Sequence, residues 1–214
     1  MSPQSLKGFD RLAPVYDRFA RLVYGSAIRD AQLFFLSTIP PTANVLILGG
    51  GTGWLLNDLF KTRPECRVCY VEASAKMLAL AQQQLPAQKK GQVHFILGTE
   101  DAIPTVRPFD AVITAFYLDL FSPDTLRCII DKVSASLTSS GIWLVSDFTT
   151  PKTWWQKALL KIMYIFFRRV CGIEATHLPA WDQALVGCGW HATGEKLFFH
   201  GFIKSVTYRF REKE

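Results

Sequence analysis

Asn44-Val45-Leu46-Ile47-Leu48-Gly49-Gly50-Gly51-Thr52-Gly53-Trp54 is a short apolar run that passes directly into clustered glycines and then into a helical pattern. A run of this kind reads as a buried strand, and glycines at its carboxyl end let the backbone approach a ligand closely. The spacing discriminates among the ligands such loops serve. The dinucleotide fingerprint G-x-G-x-x-G, counted from Gly49, requires glycine where Trp54 stands, and counted from Gly51 it fails again. A phosphate-binding P-loop needs lysine after its last glycine, and Trp54 occupies that place too. Both cofactor classes are disfavoured, and a cofactor loop of another kind is implied.

Strand-like and helix-like runs alternate around this loop. Asn44–Leu48, Arg67–Val71, Val93–Leu97, Ala111–Thr114 and Ile142–Ser146 read as strands, with helices over Trp54–Phe60, Ala75–Leu85 and Pro123–Leu137. Gly98–Pro108 reads as a loop containing a short helix. Such alternation implies parallel βαβ crossovers in an open sheet. Gly189–Phe199 and Phe202–Phe210 break the rhythm as two long strands with a turn at His200-Gly201, a terminal antiparallel hairpin. The expected fold is a doubly wound, mostly parallel seven-stranded α/β sheet, one domain over residues 1–214 with an N-terminal helical region over 1–40. Glu72 ends the second strand 19 residues beyond Gly53, where a carboxylate accepts hydrogen bonds from a ribose diol. Ser74 competes with it for the role of helix cap.

The 214 residues carry a net charge of +6 with 49% apolar and 20% charged residues, which excludes disorder and permits a full core. The surplus is small and lacks long basic runs, so no nucleic-acid partner is expected. Five scattered cysteines behind the opening MSPQSLKGFDR, with no apolar leader, point to a reduced cytoplasmic protein. Cys66 and Cys69 lack the second pair that a four-ligand zinc site needs, so no metal is expected.

Val45–Gly53, Val71–Ala81, Gly98–Pro104 and Phe109–Leu120 occur in the order and spacing of class I S-adenosylmethionine-dependent methyltransferases, which the chain resembles over roughly residues 9–147. Phe9–Asp17 resembles the opening motif of the branch that includes ubiquinone and menaquinone methyltransferases. The resemblance implies S-adenosylmethionine as cofactor, with Gly49, Gly51 and Gly53 against its methionine part and Glu72 on its ribose. It places Ala73 and Met77 beside the adenine, Thr99 and Glu100 at the adenine's polar edge, and Phe116 beside the transferred methyl. Ile47 and Thr99 depart from the acidic residues common at those positions. Tyr16 and Tyr24 are candidates to close over the cofactor.

Methyl transfer from a sulfonium asks the protein mainly to align the acceptor and, for hydroxyl or amine acceptors, to take a proton. Tyr117 and Asp119 are candidates for that work, with a helix-capping role for Asp119 as the competing reading. His177 is a further candidate base, set against a capping or surface role. Residues 151–175 depart most from a minimal methyltransferase: apolar and aromatic side chains from Trp154 to Phe167 alternate with Lys157, Lys161, Arg168 and Arg169. A core helix, a substrate lid and a membrane-surface or partner helix over 154–169 all fit this pattern. The expected activity is methylation of a small, apolar or amphipathic acceptor. A non-catalytic nucleoside- or partner-binding module with the same fold is the alternative.

Overall fold

The structure is a computed structural model and describes residues 8–10, 12–13, 16–105 and 108–210. Seven strands form one sheet: β1 (Asn44–Leu48), β2 (Arg67–Glu72), β3 (Val93–Leu97), β4 (Phe109–Ala115), β5 (Leu137–Phe148), β6 (Trp190–Phe198) and β7 (Ile203–Phe210). Their order is β3-β2-β1-β4-β5-β7-β6. The first five are parallel, and β7 lies antiparallel between β5 and β6. The doubly wound sheet and its terminal hairpin are therefore present as the sequence implied.

Helices α1 (Tyr16–Tyr24), α2 (Ala27–Leu33), α3 (Trp54–Thr62), α4 (Ala75–Gln84), α5 (Pro123–Ser136), α6 (Trp154–Cys171) and α7 (Trp181–Gly187) surround it. A parallel strand covered on both faces reads as a continuous apolar run because each successive side chain finds a different core. In β1, Leu46 and Leu48 join the core under α5 and α7, with Leu126, Ile129, Ile130 and Leu185. Val45 and Ile47 point the other way, into a core with Leu55, Leu56 and Leu59 of α3 and Leu78 and Ala81 of α4. Burial of each such leucine contributes about 1.5–3 kcal/mol. Cys66 and Cys69 also fall on opposite faces, and desolvation raises both thiols to about 11.

Three local differences from the sequence reading have physical causes. The hairpin turn is wider than His200-Gly201: Phe199, His200 and Gly201 all take positive φ, 46°, 55° and 77°, and the strands end on either side of them. Strand β5 begins at Leu137 rather than Ile142, because the polar Thr138-Ser139-Ser140 stretch continues the strand across a register shift opposite Phe109–Ala111. The stretch from Trp154 to Phe167 is buried along one side only, short of the fully enclosed core helix that the pattern also permits. Only Gln156, Leu160, Tyr164 and Cys171 of α6 are buried, and they cover a third core with Tyr24, Phe148 and Phe202.

The sheet order reverses between β1 and β4, so connections leave that point in opposite directions and a crevice opens at the carboxyl ends of the strands.

Candidate functional site

The crevice is a cavity of about 860 Å³ whose floor is the glycine loop between β1 and α3, within the size range of small-molecule sites. Its walls come from the ends of β1, β2 and β4, from α1–α3, and from the loop after β3.

The glycines serve three different purposes. A Cβ on Gly49 would stand 2.3 Å from Cδ2 of Tyr117, and one on Gly50 would stand 2.2 Å from Cζ of Tyr70. Gly53 caps α3 at φ 87°, and a Cβ there would meet Ala81 of α4, so it sets helix packing and does not line the cavity. Gly51 faces open space: φ is 66°, and a Cβ would meet nothing within 4 Å. The loop is pinned from behind by Gly49 N–H donating to the Val71 carbonyl at 2.9 Å and by the Tyr70 hydroxyl donating to the Gly51 carbonyl at 3.0 Å.

Glu72 lines the cavity with a nearly buried carboxylate, 7% exposed. One oxygen accepts from Gly51 N–H at 2.8 Å and the other from Ser74 N–H at 2.7 Å. A carboxylate has about four lone-pair sites, so acceptor capacity remains beyond these N–H bonds. Burial pushes its pKa up, and the N–H bonds from Ser74, Gly51 and Ala73 pull against that rise. The competition between Glu72 and Ser74 for the helix cap is decided in favour of Ser74, whose hydroxyl accepts from Met77 N–H and donates to Asp10. Asp10 also accepts from Lys76 N–H, so the N-terminal motif is tied to the start of α4.

Ala73, Met77, Thr99, Phe116 and Tyr117 line the same cavity. Phe116 holds φ 51°, an uncommon backbone for a bulky residue, kept in place by its N–H donating to the Ser146 carbonyl at 2.7 Å and by its ring against Phe148. Glu100 is buried but does not line the cavity. It accepts from the Tyr117 hydroxyl at 3.1 Å, fixing the ring that lies over Gly49. Burial first, and then the Glu100 charge, hold the Tyr117 hydroxyl protonated well above its usual range, which suits a fixed donor and not a base.

The other candidate bases lie away from the cavity. Asp119 is 2% exposed, behind the short turn Leu118–Leu120. Its neighbour Asp147 accepts from Leu118, Asp119 and Phe148 N–H groups at 3.1, 3.2 and 2.8 Å, and desolvation raises both carboxyls. The helix-cap role weighed for Asp119 belongs to Ser122, which accepts from Thr125 N–H. His177 is exposed and pairs with Thr176. Tyr24 is a core residue, its ring against Phe148 and Phe199. Tyr16 opens α1, and its side chain lies outside the described residues.

The opposite end of the cavity was not anticipated. Arg29 of α2 and Lys61 of α3 both bind Asp58, at 2.6 and 2.9 Å, and Arg29 lies over the Trp54 ring at 5.5 Å. Desolvation would raise Asp58, but the hydrogen bonds from Lys61 and Arg29 outweigh it and hold the carboxyl low. Arg21 and Gln32 add further polar groups to this end. The i,i+3 pair Asp58–Lys61 was visible in sequence; the partner on α2 was not.

Residues 45–141 match the family model described as a methyltransferase domain. The malonyl-[acyl-carrier protein] O-methyltransferase of Priestia megaterium is 25% identical over 142 residues, 66% of this chain and 50% of that protein. The match thus spans about half the length of that relative. Among solved structures, the DhpI–SAH complex superposes with a TM-score of 0.71 at 20% identity, covering 100% of both chains. The mitomycin 7-O-methyltransferase MmcR superposes with a TM-score of 0.70 at 16% identity, covering 95% of this chain and 60% of that one. Residues 45–141 thus match a methyltransferase domain, and the whole chain shares the fold of these methyltransferase structures.

Proposed function

We propose that the protein transfers the methyl group of S-adenosylmethionine to a small, apolar or amphipathic acceptor. The observation that carries this reading is the join between Gly51 and Glu72: a carboxylate fixed by backbone N–H groups, beside the one loop position where a side chain would enter open space. The donor set fits the cofactor. Glu72 would hold the ribose hydroxyls, Ala73 and Met77 the adenine faces, Thr99 its polar edge, and Gly49 and Gly51 the methionine part. Phe116, with Leu120 beside it, borders the space where an acceptor would meet the methyl group.

The bound cofactor supplies an activated methyl group on sulfur. The chain's own task is to exclude water and align the acceptor, a contribution worth up to about 7–11 kcal/mol in favourable cases. Asp119 and His177 lie away from the cavity and Tyr117, which lines it, holds its proton, and this favours an acceptor that is already ionised or needs no base. The similarity to the mitomycin 7-O-methyltransferase, named for a small-molecule acceptor, supports an acceptor of that size.

Thermal unfolding with S-adenosylhomocysteine tests the cofactor. A ligand at a hundredfold its Kd adds about 2.7 kcal/mol of stability, and Gly51→Arg is expected to fold yet show no shift. An unresponsive parent protein would refute the cofactor assignment, and a responsive Gly51→Arg variant would refute the site.

A further inference from the structure

Helix α6 is packed on one side only. Gln156, Leu160, Tyr164 and Cys171 face the third core, which also contains the cavity-lining Phe116 and Leu120. On the opposite side Trp154 is 81% exposed, Ile162 64% and Ile165 43%. At 3.6 residues per turn these three fall on one stripe, with Lys157, Lys161 and Arg168 in a row along its edge. All three cations are exposed, and among the described residues none forms an ion pair. The helix has no acidic residue.

We propose that this outer face docks on the anionic surface of a lipid bilayer. A stable protein partner needs about 800 Å² from each side, far more than one stripe of three apolar side chains provides. An interfacial helix requires less: apolar side chains reaching about 5–10 Å into the headgroup boundary, with cations beside anionic lipids. An 18-residue helix offers about 27 Å for that contact. The Thr153–Gln156 capping box and the bond from the Gln156 amide to the His200 carbonyl, 3.1 Å, hold its first turn against the β6–β7 turn, so the face is presented by a fixed element. Docking does not depend on the proposed reaction. If that reaction is right, the helix whose inner face shares a core with the cavity wall would place an amphipathic acceptor's source close by.

Sedimentation with phosphatidylcholine vesicles, with and without phosphatidylserine, tests the inference in the absence of cofactor. The protein is expected to sediment with anionic vesicles and to be released by salt. Each cation replaced in a Lys157→Gln, Lys161→Gln, Arg168→Gln series should weaken partitioning roughly fivefold. Trp154→Ser with Ile162→Ser should abolish it, with thermal unfolding unchanged because these side chains are exposed. No binding to anionic vesicles at low salt would overturn the proposal, as would binding that survives the outer-face substitutions. A concentration-dependent dimer that Trp154→Ser dissolves, without vesicle binding, would overturn it in favour of a second copy of the chain.

Discussion

The two ends of the cavity hold their charges by different means. At one end Glu72 is buried and fixed by main-chain N–H groups of Gly51 and Ser74. At the other, Asp58 is held by two long side chains, Arg29 and Lys61, which are 58% and 72% exposed. Main-chain donors cannot swing away, so the first end is preorganised and suited to an invariant ligand part. Side-chain ion pairs near solvent are worth little and rearrange easily, so the second end can adapt to different ligands. The difference teaches where substitution should be ruinous and where it should be quiet.

The largest effect is expected at the glycine loop. Gly49→Ala drives a Cβ to 2.3 Å from the Tyr117 ring at a φ of 69°, and overpacking with a left-handed backbone costs about 3 kcal/mol together. Gly51→Ala adds its Cβ to open space and should cost only about 1 kcal/mol. Chemical denaturation of the two variants checks the ordering. Equal losses would break the claim that only Gly49 is sterically pinned.

Next in size is Glu72→Gln. It keeps the shape but places an amide among N–H donors and removes the charged acceptor for a diol. Loss of hydrogen bonds to a charged group costs about 1.5–3 kcal/mol, so calorimetry should find S-adenosylhomocysteine binding weakened by roughly 10- to 100-fold. An unchanged affinity would remove Glu72 from the proposed ribose contact.

The buried pair behind the cavity gives a pH-dependent prediction. Desolvation raises the pKa of Asp119, and desolvation with the Asp119 charge raises that of Asp147. An acid whose folded pKa lies above its unfolded value binds protons more tightly when folded, so stability falls as pH rises from the ordinary carboxylate range through the raised folded titration. Asp119→Asn leaves Asp147 as the lone anion with three N–H donors. The variant should lose less stability on alkalinisation, overtaking the parent by a few kcal/mol in melts at mildly alkaline pH. Parallel pH profiles would show that the pair is not the source of the slope.

The contrast between the ends also explains what the sequence revealed. The strands, the loop and Glu72 were readable because their signals are local: apolar runs, clustered glycines and a carboxylate at a strand end. Whether Glu72 or Ser74 caps the following helix stayed open in the sequence, and in the structure Ser74 takes the cap. The other features depend on pairings across distant stretches. Asp119 looked like a loop carboxylate until Asp147, 28 residues later, was folded against it. Arg29 meets Asp58 only after α2 packs beside α3, and Asp10 reaches Ser74 across 64 residues. The exposed stripe of α6 was hidden by composition, since its inner and outer faces are both rich in apolar residues. Only packing decided that Leu160 is buried and Ile162 is not.

The smallest effect is expected at the adaptable end. Asp58→Asn removes the carboxylate shared by Arg29 and Lys61, but both cations remain hydrated, so the stability loss should be under about 1 kcal/mol and should fade with salt. Binding of S-adenosylhomocysteine should be unchanged, because the groups proposed to hold it keep their main-chain supports. Denaturation and calorimetry on Asp58→Asn beside Glu72→Gln measure this contrast directly. A ligand-affinity loss at Asp58 as large as that at Glu72 would mean that the ionic end also grips the cofactor and that the two ends form one preorganised site.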